Sequence, residues 1–232
     1  MGPFRQPVPN LVIQKPCLPL VLLVIHLMVV LVILGVFVWA DNEDSDEKYL
    51  GGLNLGDKLF NWHPVFMTWG ASCLMEGALA YRALRFYPHR RKKTVHGLWN
   101  AAGCALLCAG LAVVFRYKHE THLASLYSTH SWLGIFTCSL VFAQFVLGLG
   151  TYALPGVPLL TKQHVYPVHA SLGLASTVFA AASVISGIDH ENTLLGCAYS
   201  VGPICEREGL AVGGAAERGL YSWSVARFDG SI

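Results

Sequence analysis

Four histidines, His63, His96, His130 and His169, offer the most telling chemistry in this sequence, because each sits in an apolar run close to residues that start helices. Asn61 precedes His63, Thr94 precedes His96, and Ser128 and Thr129 precede His130, all able to cap a helix, while Pro64 and Pro167 suit a first turn, whose N–H groups have no intrahelical acceptor. The four are therefore expected in the opening turns of four consecutive helices. Successive membrane helices alternate in direction, so His63 and His130 should share one level of the bilayer and His96 and His169 the other, roughly 20 Å apart. Two imidazoles on non-adjacent helices of a four-helix bundle can clamp a flat cofactor through its two axial positions, as haem is clamped, and two such pairs imply two haems stacked across the membrane. Gly70, Gly97, Gly103, Gly134, Gly148, Gly150, Ala170 and Gly173 would let a porphyrin approach the backbone. A single intramembrane histidine is often a polar packing residue, but four at matched depth on four helices are poorly explained that way. His26, alone in the first apolar run, and His89, His122, His164 and His190, in or beside loops, are expected to be solvated or locally hydrogen-bonded.

The elements that must position these side chains are helices in lipid. Of 232 residues, 54% are hydrophobic and 13% charged, and the mean hydropathy is +0.49, too apolar for an ordinary soluble domain. The net charge of +2 leaves no extended basic face, which argues against a nucleic-acid partner. Five stretches, roughly 17–39, 61–84, 94–115, 127–154 and 166–188, are long enough to cross a bilayer. Arg82, Arg85, Arg90, Arg91, Lys92 and Lys93 have no acid among them, whereas Asp41, Glu43, Asp44, Asp46 and Glu47 face only Lys48 in the preceding loop. The Lys/Arg bias thus places the 82–93 loop and the segment 1–16, with Arg5 and Lys15, in the cytosol, and the acidic loop outside. The expected fold is an all-α, multi-pass integral membrane protein: a four-helix haem-binding bundle plus one peripheral N-terminal helix over 17–188, then a weakly ordered, non-cytosolic tail over 189–232. No repeat of useful period is visible. Glu76, the one acid inside a span, is explained as well by a snorkelling ion pair with Arg82 or another loop base as by a proton relay, and is assigned no catalytic role. The seven cysteines lack zinc-site spacing and read as buried, inert thiols, with Cys197 and Cys205 the pair placed for a disulfide.

The strings Asn61-Trp62-His63-Pro64-Val65, His96-Gly97-Leu98 and Leu126-Tyr127-Ser128-Thr129-His130-Ser131-Trp132-Leu133-Gly134 resemble those of the cytochrome b561 family, ascorbate-dependent transmembrane di-haem cytochromes, over roughly 17–190. The resemblance implies two haem b groups, the non-cytosolic one ligated by His63 and His130 and the cytosolic one by His96 and His169, the pairing that helix direction also suggests. It further implies a homodimer, six helices of which the second to fifth bind haem, and electron transfer from cytosolic ascorbate to monodehydroascorbate or a ferric chelate. It leaves the membrane open among endosomal or lysosomal, vesicular and plasma membranes. Two departures stand out. Residues 189–232 hold no apolar counterpart of a sixth helix, and Tyr117-Lys118-His119 stands where the family places a histidine directly after the aromatic residue.

Bis-imidazole ligation would leave no open iron site, which favours electron transfer over oxygen chemistry and makes the haem edges the reactive surface. For anionic ascorbate at the cytosolic edge the expected contacts are Arg91, Lys93 and Lys162, within a basic cluster that topology alone also explains. At the outer edge Lys118, His119 and Tyr127 are the expected contacts for an anionic acceptor. A ferric reductase of the flavin-linked type would place two histidines on each of two helices and carry a nucleotide-binding signature, neither of which occurs here. A metal transporter would call for midplane carboxylates and broken helices. A non-catalytic isoform acting as partner of a full-length copy is the remaining alternative.

Overall fold

The computed structural model describes residues 18–42 and 50–194. The expectations for segment 1–16, for most of the acidic loop, for the tail from 195 onward and for Cys197 and Cys205 lie outside the described residues.

The described residues form five α-helices: α1 (Leu18–Asp41), α2 (Trp62–Ala83), α3 (His89–Glu120), α4 (Thr129–Gly148) and α5 (Leu159–Leu194). Among the described residues four segments are long and apolar enough to cross a membrane: Leu18–Asp41, His89–Glu120, Thr129–Ala153 and Leu159–His190. At 22 residues α2 is about 33 Å long, enough to span, but it is less apolar. Its place in the fold supplies the reason: α2 packs on α1, α3 and α5, so much of its surface meets protein instead of lipid, and Thr68 and Ser72 are buried there. The chain is an all-α membrane protein.

The helices α2 to α5 form a ring in which sequence neighbours pack side by side, α2 on α3, α3 on α4, α4 on α5, and α5 back on α2. Consequently α2 lies diagonal to α4, and α3 to α5. Leu74, Cys104, Leu107, Cys138 and Val141 form a buried cluster in the middle of the ring. Helix α1 stands outside, against α2, with a mostly apolar and exposed surface that includes Leu20, Leu27 and Leu31. Its expected role as a peripheral helix agrees with this.

Several local expectations need correction. Asn61 does not cap α2; its amide donates to the carbonyls of Leu50 and Gly52, both at 2.7 Å, and so pins the preceding loop under the helix start. Thr94 lies inside α3, its hydroxyl turned back to the Arg90 carbonyl, because the helix begins five residues earlier at His89. Helix α5 begins at Leu159, which places Pro167 in its interior, and it continues to Leu194 instead of ending near 188. Only Ser128 caps as expected, accepting from the Ser131 N–H. His96 and His169 therefore stand two to three turns into long helices, not in first turns, because hydropathy marks the lipid slab while the helices project beyond it.

Glu76 is not paired with Arg82. It meets Nδ1 of His26 on α1 at 2.7 Å, so His26 is an interhelical partner and not an isolated side chain. The thiols of Cys104 and Cys138 are buried as expected, whereas Cys73 is half-buried and Cys108 exposed.

Candidate functional site

The diagonal arrangement brings the histidines together two by two. Ring centres of His63 and His130 lie 6.2 Å apart with planes at 81°, and those of His96 and His169 lie 6.3 Å apart at 79°. A metal–imidazole bond of about 2 Å, with roughly 1.1 Å more from nitrogen to ring centre, would separate two imidazoles on opposite sides of one metal by roughly 6.2 Å. Both spacings fit one metal held between each pair. The hydrogen bonds point the same way. Nδ1 of His63 donates to the Gly110 carbonyl (3.0 Å), Nδ1 of His96 to the Gly77 carbonyl (2.8 Å) and Nδ1 of His130 to the Ser183 carbonyl (3.1 Å). Because a carbonyl only accepts, the proton sits on Nδ1 in each case, and Nε2 is left as the metal-binding nitrogen. The fourth ring differs: Nδ1 of His169 is buried without a partner among the described residues.

Glycines make these contacts, though not mainly the ones expected to admit a porphyrin. A Cβ on Gly70 would meet Leu107 at 3.0 Å and the Gly103 carbonyl at 3.2 Å, and one on Gly103 would meet Leu74 at 2.9 Å. These two let α2 and α3 cross closely, as small residues do in membrane helices. Seven residues further along each helix stand Gly77 and Gly110, whose carbonyls take the imidazole protons. Gly148 faces the His169 ring, where a Cβ would lie 3.1 Å from Cε1. Gly187, which the sequence reading passed over, faces His130, where a Cβ would lie 2.8 Å from Cε1. Gly97, Gly150 and Gly173 have open space within 4 Å.

At the cytosolic end, so named from the Lys/Arg bias, a π-helical turn (Leu149–Ala153) follows α4 and sets the Tyr152 ring 5.6 Å from His169. The Lys93 ammonium donates to the Tyr152 carbonyl at 3.0 Å, and the Tyr152 hydroxyl donates to the Lys162 carbonyl at 3.2 Å. The Lys93 ammonium and the Lys162 main chain thus meet at one tyrosine beside His169. Arg91 goes elsewhere: its guanidinium lies over the Tyr87 ring at 5.8 Å, in a groove of about 430 Å³ shared with Leu84, Arg90, Thr94 and Val95.

At the outer end Lys118 lies 4.8 Å over the Tyr127 ring and donates to the Ala124 carbonyl, while His119 and His122 line a pocket with it. His190, expected to be a loop residue, lies in α5 with its ring 6.3 Å from that of His130 and nearly parallel, and its Nε2 is 3.2 Å from the Tyr127 hydroxyl. Phe60 stacks on His63 at 5.8 Å and also touches Tyr117.

The family model for eukaryotic cytochrome b561 matches residues 62–195, which take in all four helices of the ring. The chain belongs to the cytochrome b561 family. It is 36% identical over 137 residues to the lysosomal membrane ascorbate-dependent ferrireductase of Danio rerio, an alignment covering 58% of this chain and 56% of that one. The human protein of the same description is 36% identical over 136 residues, with 57% and 56% covered. The transmembrane ascorbate-dependent reductase of Sus scrofa is 34% identical over 155 residues, with 66% and 62% covered. The chain thus spans a little over half the length of the curated relatives it matches. Membership of this family implies a haem b cofactor, which the imidazole pairs have the donors and spacing to hold.

Proposed function

We propose that this chain carries electrons across a membrane from cytosolic ascorbate to a non-cytosolic acceptor, through two haem b groups. The paired imidazoles support this reading most strongly: two pairs at 6.2 and 6.3 Å, each with nearly perpendicular rings, at opposite ends of one bundle. His63 and His130 would hold the outer group, and His96 and His169 the cytosolic one. Held by these imidazoles, the bound groups would supply one-electron transfer. The remaining work falls to the side chains. Gly110, Gly77 and Ser183 orient three of the rings through their carbonyls and raise ring basicity. Lys93, whose ammonium is held on the Tyr152 carbonyl beside His169, would draw anionic ascorbate to the cytosolic edge, and Lys162, whose main chain meets the same tyrosine, would add its charge. Arg91, in its own groove 5.8 Å from Tyr87, would add to the attracting field instead of touching the same molecule. Lys118, His119 and Tyr127 would receive the acceptor outside.

Relatives named as lysosomal membrane ferrireductases favour a ferric chelate as acceptor over monodehydroascorbate, and an endosomal or lysosomal membrane as the setting. The test is a reduced-minus-oxidised spectrum of the purified protein, expected to show b haem at about two per chain and reduction by ascorbate; a colourless protein overturns the reading. In proteoliposomes loaded with ascorbate, an external ferric chelate should be reduced faster than monodehydroascorbate, and the reverse order would overturn the assignment of the acceptor.

A further inference from the structure

The four histidines and their hydrogen-bond acceptors follow one spacing. Gly77 stands fourteen positions after His63, Gly110 fourteen after His96 and Ser183 fourteen after His169. Each of these three carbonyls receives the Nδ1 proton of the histidine on the neighbouring antiparallel helix. Fourteen residues of α-helix rise about 21 Å, so on one helix of a hairpin this position comes level with the histidine of the other. Helices α2 and α3 exchange such bonds in both directions. Between α4 and α5 the bond runs one way only, from His130 to Ser183, and the return bond from His169 to α4 is missing.

The same spacing from His130 reaches Gln144. This side chain is 7% exposed, and its Oε1 is buried without a hydrogen-bond partner among the described residues, as is Nδ1 of His169. Gly148, one turn further along α4, already lies against the His169 ring. Leaving a buried donor or acceptor unpaired costs about 1–3 kcal/mol, and here one of each stands where the repeat of the fold calls for a bond between them. Gly70 and Gly103 bring the backbones of α2 and α3 together, and there both imidazoles reach carbonyls; across α4 and α5 only that of His130 does.

We propose that Gln144 is the positioning residue for His169, its Oε1 accepting the Nδ1 proton, directly or through one buried water, when the cytosolic haem is seated. This rests on the two-haem reading above. An imidazole that donates from Nδ1 is the more basic ligand and stabilises ferric over ferrous iron, which lowers the reduction potential. The experiment uses the full-length, haem-loaded protein, with spectroelectrochemical titration and low-spin electron paramagnetic resonance of each haem. Gln144→Met, similar in volume but without the acceptor, is expected to raise the potential of the cytosolic haem and shift its resonance, leaving the outer haem unmoved. Gln144→Glu, equally long and still an acceptor, is expected to move the same potential downward. A Met variant in which the cytosolic signals stay put, or in which both haems move together, overturns the proposal. Should the Met variant fail to fold, a Glu variant whose cytosolic potential is unchanged or raised does so alone. Wild-type protein without haem would sink the two-haem reading itself, and this proposal with it, before any variant is compared.

Discussion

The outer and cytosolic histidine pairs have nearly the same geometry and quite different support. Outside, both Nδ1 atoms are tied to main-chain carbonyls; His130 also has the Ser186 hydroxyl at 3.3 Å and the ring of His190 beside it. On the cytosolic side His96 is tied at 2.8 Å to Gly77, while His169 has Tyr152 and Gly148 around it but no acceptor. Main-chain carbonyls take the Nδ1 protons of three rings. The fourth has no such tie among the described residues, which leaves its pair the less firmly held of the two.

The largest test of this contrast is to delete ligands one at a time. His63→Ala or His130→Ala should cost the outer haem while the cytosolic haem still accepts electrons from ascorbate. His96→Ala or His169→Ala should cost the cytosolic haem and with it rapid reduction by ascorbate. Haem content and stopped-flow reduction measure both, and equal reduction rates in the two sets would erase the distinction between the ends.

A smaller effect comes from crowding each ring with one methyl group. Gly187→Ala puts a Cβ 2.8 Å from the Cε1 of His130, a ring held by two acceptors, whereas Gly148→Ala puts one 3.1 Å from the Cε1 of His169, a ring that can give. Overpacking typically costs about 1–3 kcal/mol, and the outer substitution should sit at the upper end of that range. Site-resolved haem occupancy is expected to fall further for Gly187→Ala, and the opposite order would mean that the outer ring is the looser of the two.

The smallest expected change is Ser186→Ala. It removes the longer of the two acceptors on His130 and leaves the Ser183 carbonyl in place. Interhelical hydrogen bonds in membranes average about 0.6 kcal/mol, so the melting temperature should drop by a few degrees at most and both haems should remain. Loss of the outer haem would show that the hydroxyl, and not the main chain, fixes the ring.

Much of the fold was legible because the hydrophobic effect writes itself as runs of apolar residues. Helix boundaries were less so. Backbone hydrogen bonding continues past the lipid slab, and α3 and α5 therefore begin five and seven residues before the apolar spans expected for them. His190 was misread because α5 extends beyond the last purely apolar turn and lays that ring against His130. For Glu76 the expected ion-pair partner was a near sequence neighbour, whereas its partner His26 is fifty residues away on a helix whose contact face hydropathy cannot reveal.

Residue type and order alone, through alternating helix direction, determined which of the four histidines meet. This follows from the length of a helix and the thickness of a bilayer, quantities that one-dimensional spacing carries. Tertiary structure alone decided what holds each ring. The acceptors on Gly77, Gly110 and Ser183 are main-chain carbonyls, which every residue possesses and which become specific only when two helices approach at a particular crossing.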